Sequence, residues 1–167
     1  DAKDPNSRFA RLERGELALE NYLAWSRDDF EGAESIWDPE SPHFLFPHLS
    51  VVPEVISAIE DLRNRGFATG LLSNNIAEAW PYVLSDLDVN GLFDVSVNSA
   101  FVGMRKPEKR IFTHILNELE LPPERTLFLD DVAVNIDAAK SVGMKTLKVV
   151  NPVQSLAAME TILMQGP

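Results

Sequence analysis

Apolar positions recur with two different periods along this chain. From Phe9 through Leu12, Leu17, Tyr22 and Trp25 they fall three or four residues apart, the spacing that lines one face of a helix. Gly15 interrupts the run, so the pattern predicts helices over residues 8–14 and 19–29 with a turn between them. Periodicity is lost over residues 31–48, where Pro39, Pro42 and Pro47 fix backbone angles and remove hydrogen-bond donors. That stretch is expected to be a loop and the boundary between two subregions. Beyond it, Pro53 opens a predicted helix over 53–65, with Val55, Ile59 and Leu62 on one face and Gly66 as its stop. Short apolar runs at 67–72, 93–97, 126–129 and 145–149 then alternate with predicted helices over 77–87, 108–120, 132–142 and 153–164. The 108–120 helix turns Ile111, Phe112, Ile115, Leu116 and Leu119 inward, with His114 beside that stripe as a partly buried structural group. Strands interleaved with helices imply an α/β fold built on a parallel sheet with right-handed crossovers.

Composition narrows the functional classes. At 167 residues, 45% hydrophobic and 25% charged, the chain has the size and make-up of one globular domain. Its formal net charge of -11 would repel a phosphate backbone, so no nucleic-acid partner is expected, whereas a divalent cation fits the sign. There is no cysteine, hence no disulfide, which fits a cytoplasmic location. No apolar run approaches the roughly 18 residues that crossing a bilayer takes, so no membrane partner is expected. The pattern leaves a homodimer open.

Three places carry candidate chemistry. The 126–129 run ends abruptly in Asp130 and Asp131, two adjacent carboxylates at the carboxyl end of a strand, where parallel sheets bind ligands. Like charges this close need hydrogen bonds or a cation to stay ionised, and a hard ion such as Mg2+ would serve. Asp131 can equally be a helix cap. The 67–72 run leads into Ser73, Asn74 and Asn75, which are either turn chemistry or ligand-binding polar groups. Lys106 precedes Pro107, whose ring restricts it; it is either a solvated lysine or an ammonium held for an anion. His43 and His48, in the proline-rich stretch, read as loop polar groups; Trp25, Trp37 and Phe44 read as core aromatics or as pocket lining.

Taken in order, the segments GFATGLLSNN, GMRKPEKRIF and TLFLDDVAVNIDAAKSVGMKTLKV resemble the haloacid dehalogenase-like (HAD) hydrolases, and among them the phosphatase-like amino-terminal domain of soluble epoxide hydrolases. The likeness runs from about Val52 to Val150, and ARLERGELALENYLAW looks like part of that family's helical cap. It implies a three-layer sandwich around a Rossmann-like parallel sheet, with residues 1–48 a partial cap region and 49–167 the core domain. It further implies a Mg2+-dependent phosphatase for a small phosphorylated molecule, working through an aspartyl-phosphate. Ser73 would bind the phosphoryl group with Asn74 beside it, Lys106 would neutralise charge, Asp131 would ligate Mg2+, and Asp130 and Asn135 would support that metal site.

One family feature has no counterpart. The nucleophilic aspartate should end a first strand, in a pattern like DxDGT, yet Asp1 and Asp4 follow no apolar run and every later Asp has the wrong setting. The resemblance places that strand between the 67–72 and 126–129 runs. The chain also opens at Asp1 without a methionine, so a preceding segment of roughly 20 to 30 residues is expected in the intact protein. Two other readings stand beside the phosphatase: a 2-haloacid dehalogenase-type hydrolase, which needs no metal, and a catalytically inactive interaction module.

Overall fold

The computed structural model describes residues 4, 6–29, 51–81, 83 and 87–164. The expected loop over 31–48, with Trp37, His43, Phe44 and His48, lies outside them. The contacts divide the chain into two units: Asp1–Val51, Ser73–Asp88 and Val97–Arg105 form one, and Val52–Leu72, Val89–Ser96 and Lys106–Pro167 form the other.

The first unit begins with helix α1 (Arg8–Glu13), whose N-cap Ser7 accepts a hydrogen bond from the Ala10 amide through its side chain. A turn through Gly15, at φ 68°, leads to α2 (Leu19–Asp29), so both predicted helices form. The α2 start has an amide with no partner within its own helix, and Glu78 supplies one: its Oε1 accepts from Leu19 N at 3.0 Å, across 59 residues of chain. Leu12, Leu19, Ile76 and Ala79 make the core here, with Tyr22 and Leu23 packed against it. Trp25 packs against Tyr22 at 6.1 Å between ring centroids and lies under the Arg8 guanidinium at 3.6 Å, the contacts of a structural aromatic.

The second unit holds α3 (Pro53–Asn64), most of strand β1 (Gly70–Ser73), the short helix α4 (Val89–Leu92) and the start of β2 (Val95–Asn98). Val97–Arg105 return to the first unit and include a one-turn helix, α5 (Ser99–Val102). The second unit then continues with α6 (Lys109–Glu118), β3 (Leu127–Asp130), α7 (Ala133–Ser141), β4 (Lys145–Lys148) and α8 (Pro152–Met164). Strands β3 and β4 run parallel, with Leu127 opposite Lys145 and Asp130 opposite Lys148. Helix α6 buries Ile111, Phe112, Ile115 and Leu116, and the Phe112 ring meets Phe128 of β3 edge to face at 5.2 Å. This apolar seam, to which the α6 periodicity pointed, seats β3 and therefore its terminal acids.

Several element boundaries differ from expectation, each for a local reason. The 67–72 strand begins only at Gly70, because Thr69 is tied elsewhere: its amide donates to Asp94 Oδ2 at 2.8 Å and its hydroxyl to Leu92 O at 2.8 Å. Phe67 is turned out under the Arg65 guanidinium, 5.2 Å away, instead of entering a sheet. The 93–97 strand starts two residues late, since Phe93 closes the turn of α4. Helix α5 was not anticipated; Asn98 caps it by accepting from Ala100 N at 2.9 Å, and Gly103 ends it in the left-handed region. Of the 77–87 helix, the described part opens as a 3-10 turn at Ala77–Ala79. Among the described residues the four strands pair as β1 with β2 and β3 with β4, not as one sheet.

Asp94 fastens the segment before β1. The Thr69 amide hydrogen bond, aided by Arg63 Nη1 at 2.9 Å, holds its carboxyl below the usual carboxylate range. A lowered folded value stabilises the fold above the ordinary aspartate range, near pH 4, and that contribution is lost as pH falls through the folded value. Asp94→Asn should therefore lower stability at pH 7 by less than about 1 kcal/mol, since the pair is partly exposed and screened. In urea unfolding from pH 7 to 3, the gap between variant and parent should close at the acid end. A second expectation concerns Gly15, where an added Cβ would sit 2.3 Å from Ala100 O: Gly15→Ala should cost more than about 1 kcal/mol, read as a lower denaturation midpoint.

Candidate active site

The acids at the end of β3 have different fates. Asp130 is buried at 8% exposure, and all of its carboxylate is engaged. Its Oδ2 accepts from Lys106 Nζ at 2.8 Å, while its Oδ1 accepts from Val132 N at 2.7 Å and from Asn135 Nδ2 at 3.0 Å. These three donors come from the bend before α6, the entry to α7 and the first turn of α7. A buried carboxylate with an ammonium and two amides around it is satisfied as a charge, the condition on which burial of an ion depends. Lys106 is itself largely enclosed, its side chain 13% exposed, with Nζ 5.7 Å from the centroid of the Phe128 ring. It follows that Lys106 is not a solvated lysine. The peptide bond between Lys106 and Pro107 is cis.

Asp131, by contrast, is exposed and has no hydrogen-bond or ion-pair partner among the described residues. The helix-cap reading of this residue is corrected by α7: its N-cap is Val132, no side chain caps it, and the Val132 amide is taken by Asp130. Asp131 thus presents a carboxylate that no group among the described residues neutralises, beside the buried carboxylate of Asp130.

The chemistry of this donor set decides what it can hold. No group of three or more His, Cys, Asp or Glu side chains gathers among the described residues, so no closed protein cage for a metal is formed by them. Mg2+ asks for less, taking one or two carboxylates and completing its shell with water and phosphate oxygens. Asp131 fits such an open site as a single carboxylate. Asp130 and Asn135 bond to each other and fix the strand end from which Asp131 projects.

Of the residues singled out in the sequence, Lys106, Asp130 and Asn135 come together, with Asp131 next in the chain. Ser73 and Asn74 belong to the other unit and are half-buried at the end of β1. Next to them Asn75 is buried, and its amide donates to Ser99 Oγ at 3.0 Å while that hydroxyl donates back to Asn75 O at 3.1 Å. Sequence reasoning missed this reciprocal pair. The signal available was a polar dipeptide, Asn98 and Ser99, ending an apolar run just as Ser73 does.

Comparison with known proteins bears on what such a site belongs to. Residues 9–143 match the family model described as a haloacid dehalogenase-like hydrolase. Among curated relatives, the chain is 36% identical over 159 residues to acyl-CoA dehydrogenase family member 10 of Mus musculus, covering 93% of this chain and 15% of that protein. It is 33% identical to the phosphoglycolate phosphatase of Aquifex aeolicus (strain VF5), covering 56% of this chain and 44% of the relative. The chain therefore spans less than half the length of either. Among solved structures it resembles a predicted HAD-like family hydrolase from Porphyromonas gingivalis, with TM-score 0.77, 23% identity and coverage of 96% and 80% of the two chains. A HAD family enzyme from Bacteroides thetaiotaomicron, in complex with magnesium and inorganic phosphate, superposes with TM-score 0.71 at 21% identity, covering 86% and 73%.

The arrangement around Asp130 makes a stability prediction. Asp130→Asn removes the charge that balances an enclosed ammonium and should cost about 3 to 5 kcal/mol. Asn135→Ala removes one donor and should cost about 1 kcal/mol. Urea denaturation of both variants should give that order; a smaller loss for Asp130→Asn than for Asn135→Ala would contradict the role assigned to Asp130.

Proposed function

The chain belongs to the haloacid dehalogenase-like hydrolases, and from that premise we propose that it is the phosphate-handling part of a Mg2+-dependent phosphatase for small organophosphates. The observation that carries this reading is the enclosed Lys106–Asp130–Asn135 cluster beside Asp131, whose carboxylate has no partner among the described residues. Phosphoryl transfer asks mainly for positioning and for neutralisation of charge on the phosphoryl oxygens. An ammonium fixed by a buried carboxylate is positioned without reorganisation, which is the form of electrostatic assistance that lowers a barrier most.

In this reading Asp131 holds the metal, with Asp130 and Asn135 as its support. The ion, when bound, would supply positive charge to the phosphoryl group. Lys106 faces the same anionic group. The likeness in sequence assigns Ser73 and Asn74 to binding the phosphoryl oxygens. Among the described strands β1 ends in Ser73, β2 in Asn98 and β4 in Lys148, so only β3 ends in acid. Both β3 acids have other work in this reading, and the attacking aspartate is one that the likeness in sequence implies and that none of these strand ends supplies. Its carboxylate oxygen bonds to phosphorus as the bond to the departing alcohol breaks; water then attacks phosphorus, releasing inorganic phosphate and restoring the carboxylate.

Dehalogenation of a 2-haloacid, the alternative reading, is disfavoured by Asp131, whose unbalanced charge would oppose attack by a second carboxylate. The cap region over 1–48, a cytoplasmic setting and a homodimer remain compatible with the phosphatase reading. The test uses the intact protein and p-nitrophenyl phosphate. Turnover should require Mg2+ and fall by about 100-fold or more in Asp131→Ala, and in Lys106→Ala the loss should lie mainly in kcat. Halide release from a 2-haloacid without metal, with no phosphate release, would replace this reading by the alternative.

A further inference from the structure

Strand β4 ends in a charge that the reading above leaves without a use. Lys148 is exposed at the carboxyl end of that strand and has no hydrogen-bond or ion-pair partner among the described residues. Register sets it opposite Asp130, and the Val149 amide donates to Asp130 O at 2.9 Å, so β4 stays alongside β3 to its last residue. Neighbouring strands lie about 4.8 Å apart, which puts the Lys148 backbone one strand spacing from that of the buried acid. All of these residues, with Lys106 and Asp131, lie in the second unit.

Side chains alternate between the faces of a strand, and register partners share a face. Asp130 turns to the face on which Lys106 meets it at 2.8 Å and on which Phe128, two residues back, meets Phe112. Lys148 belongs to that face, one strand further out. What surrounds the two lysines differs: the Lys106 side chain is 13% exposed and its charge answers Asp130, whereas Lys148 stands in solvent. A lysine on an open edge also keeps that edge from pairing with another sheet, and among the described residues β4 pairs with β3 alone. Position favours a second role. Lys148 sits level with the acids, at the carboxyl end where ligands of parallel sheets bind.

We propose that Lys148 is a specificity residue, the partner of a carboxylate that the organic part of the substrate carries about one strand spacing from its phosphoryl group. This rests on the phosphatase reading above, in which Lys106 and Asp131 are taken up by the phosphoryl group and its metal. The ammonium on the next strand then meets whatever anion the ester bears besides phosphate. Lysine suits that task, since its ammonium is a point charge on a flexible stem and asks for no fixed geometry. An exposed contact of this kind is worth at most about fivefold in affinity, and salt weakens it.

The test pairs propyl phosphate with phosphonooxypropanoate, the same ester with a terminal carboxylate, in the intact protein with Mg2+. The parent should favour the carboxylated ester in kcat/KM by about fivefold, with the difference in KM. That preference should fade as NaCl rises from about 20 mM to about 500 mM. Lys148→Gln should bring the ratio to about one, Lys148→Arg should keep it, and Lys148→Glu should turn it below one. Equal turnover of the two esters by the parent overturns the proposal, as does a preference that survives in Lys148→Gln. Self-association of Lys148→Gln with the parental ratio marks the lysine as an edge guard and overturns it too. Calorimetry with the unreactive pair propylphosphonate and phosphonopropanoate separates this contact from the reading beneath it. A parent that hydrolyses neither ester, yet binds phosphonopropanoate more tightly through Lys148, sinks the phosphatase reading and supports the contact. Hydrolysis of both esters with equal binding of both phosphonates sinks the contact and leaves that reading standing.

Discussion

A carboxylate at the buried end of a strand is tolerable only if its oxygens are met by donors, and in this protein much follows from how Asp130 satisfies that condition. Lys106 takes one oxygen, and Val132 N with Asn135 takes the other. Each donor binds a different piece of chain to the strand end: the bend ahead of α6, the residue that opens α7, and the first turn of α7. In low dielectric these contacts are strong, and the loss of one leaves the others facing uncompensated charge. The same requirement therefore fixes an ammonium and orients a helix, while the neighbouring Asp131 has no partner among the described residues.

Packing beneath the acid makes this geometry durable. Phe128, two residues before Asp130, is wedged against Phe112 of α6, and the Lys106 ammonium lies near the same ring. Helix α6 follows Lys106 directly in the chain, so one amphipathic helix both buries the strand and holds the bend that carries the lysine. Where the first unit is concerned, long-range polar contacts do comparable work. Glu78 satisfies the start of α2, the Asn75–Ser99 pair fastens α5, and Glu13 meets Arg105. None of these involves residues close in sequence.

How much of this was legible beforehand depends on how local the cause is. Helix α2 formed over its predicted residues, because apolar spacing dictates a face without reference to the rest of the chain. Glycines 66, 103 and 143 adopt positive φ, and the stops expected at 66 and 143 lie at the ends of α3 and α7. The start of β1 was misjudged because Thr69 is held by Asp94, 25 residues away, and no pattern within 67–72 reveals that. Helix α5 escaped notice because its one turn is too short for a period, and its cap at Asn98 looked like the end of an apolar run.

The sequence alone determined the alternation of strands and helices, the inward face of α6, and the delivery of two acids to a strand end, since each depends on residue spacing and chain continuity. It also supplied the motifs that pointed to the hydrolase family. Only the tertiary structure decided which acid would be buried and bonded and which would be exposed, because that depends on donors arriving from Lys106 and Asn135. Likewise only folding brings Glu13 to Arg105, for a pair separated by most of the chain leaves no periodic trace, and its energy exists only once water has been excluded from both charges.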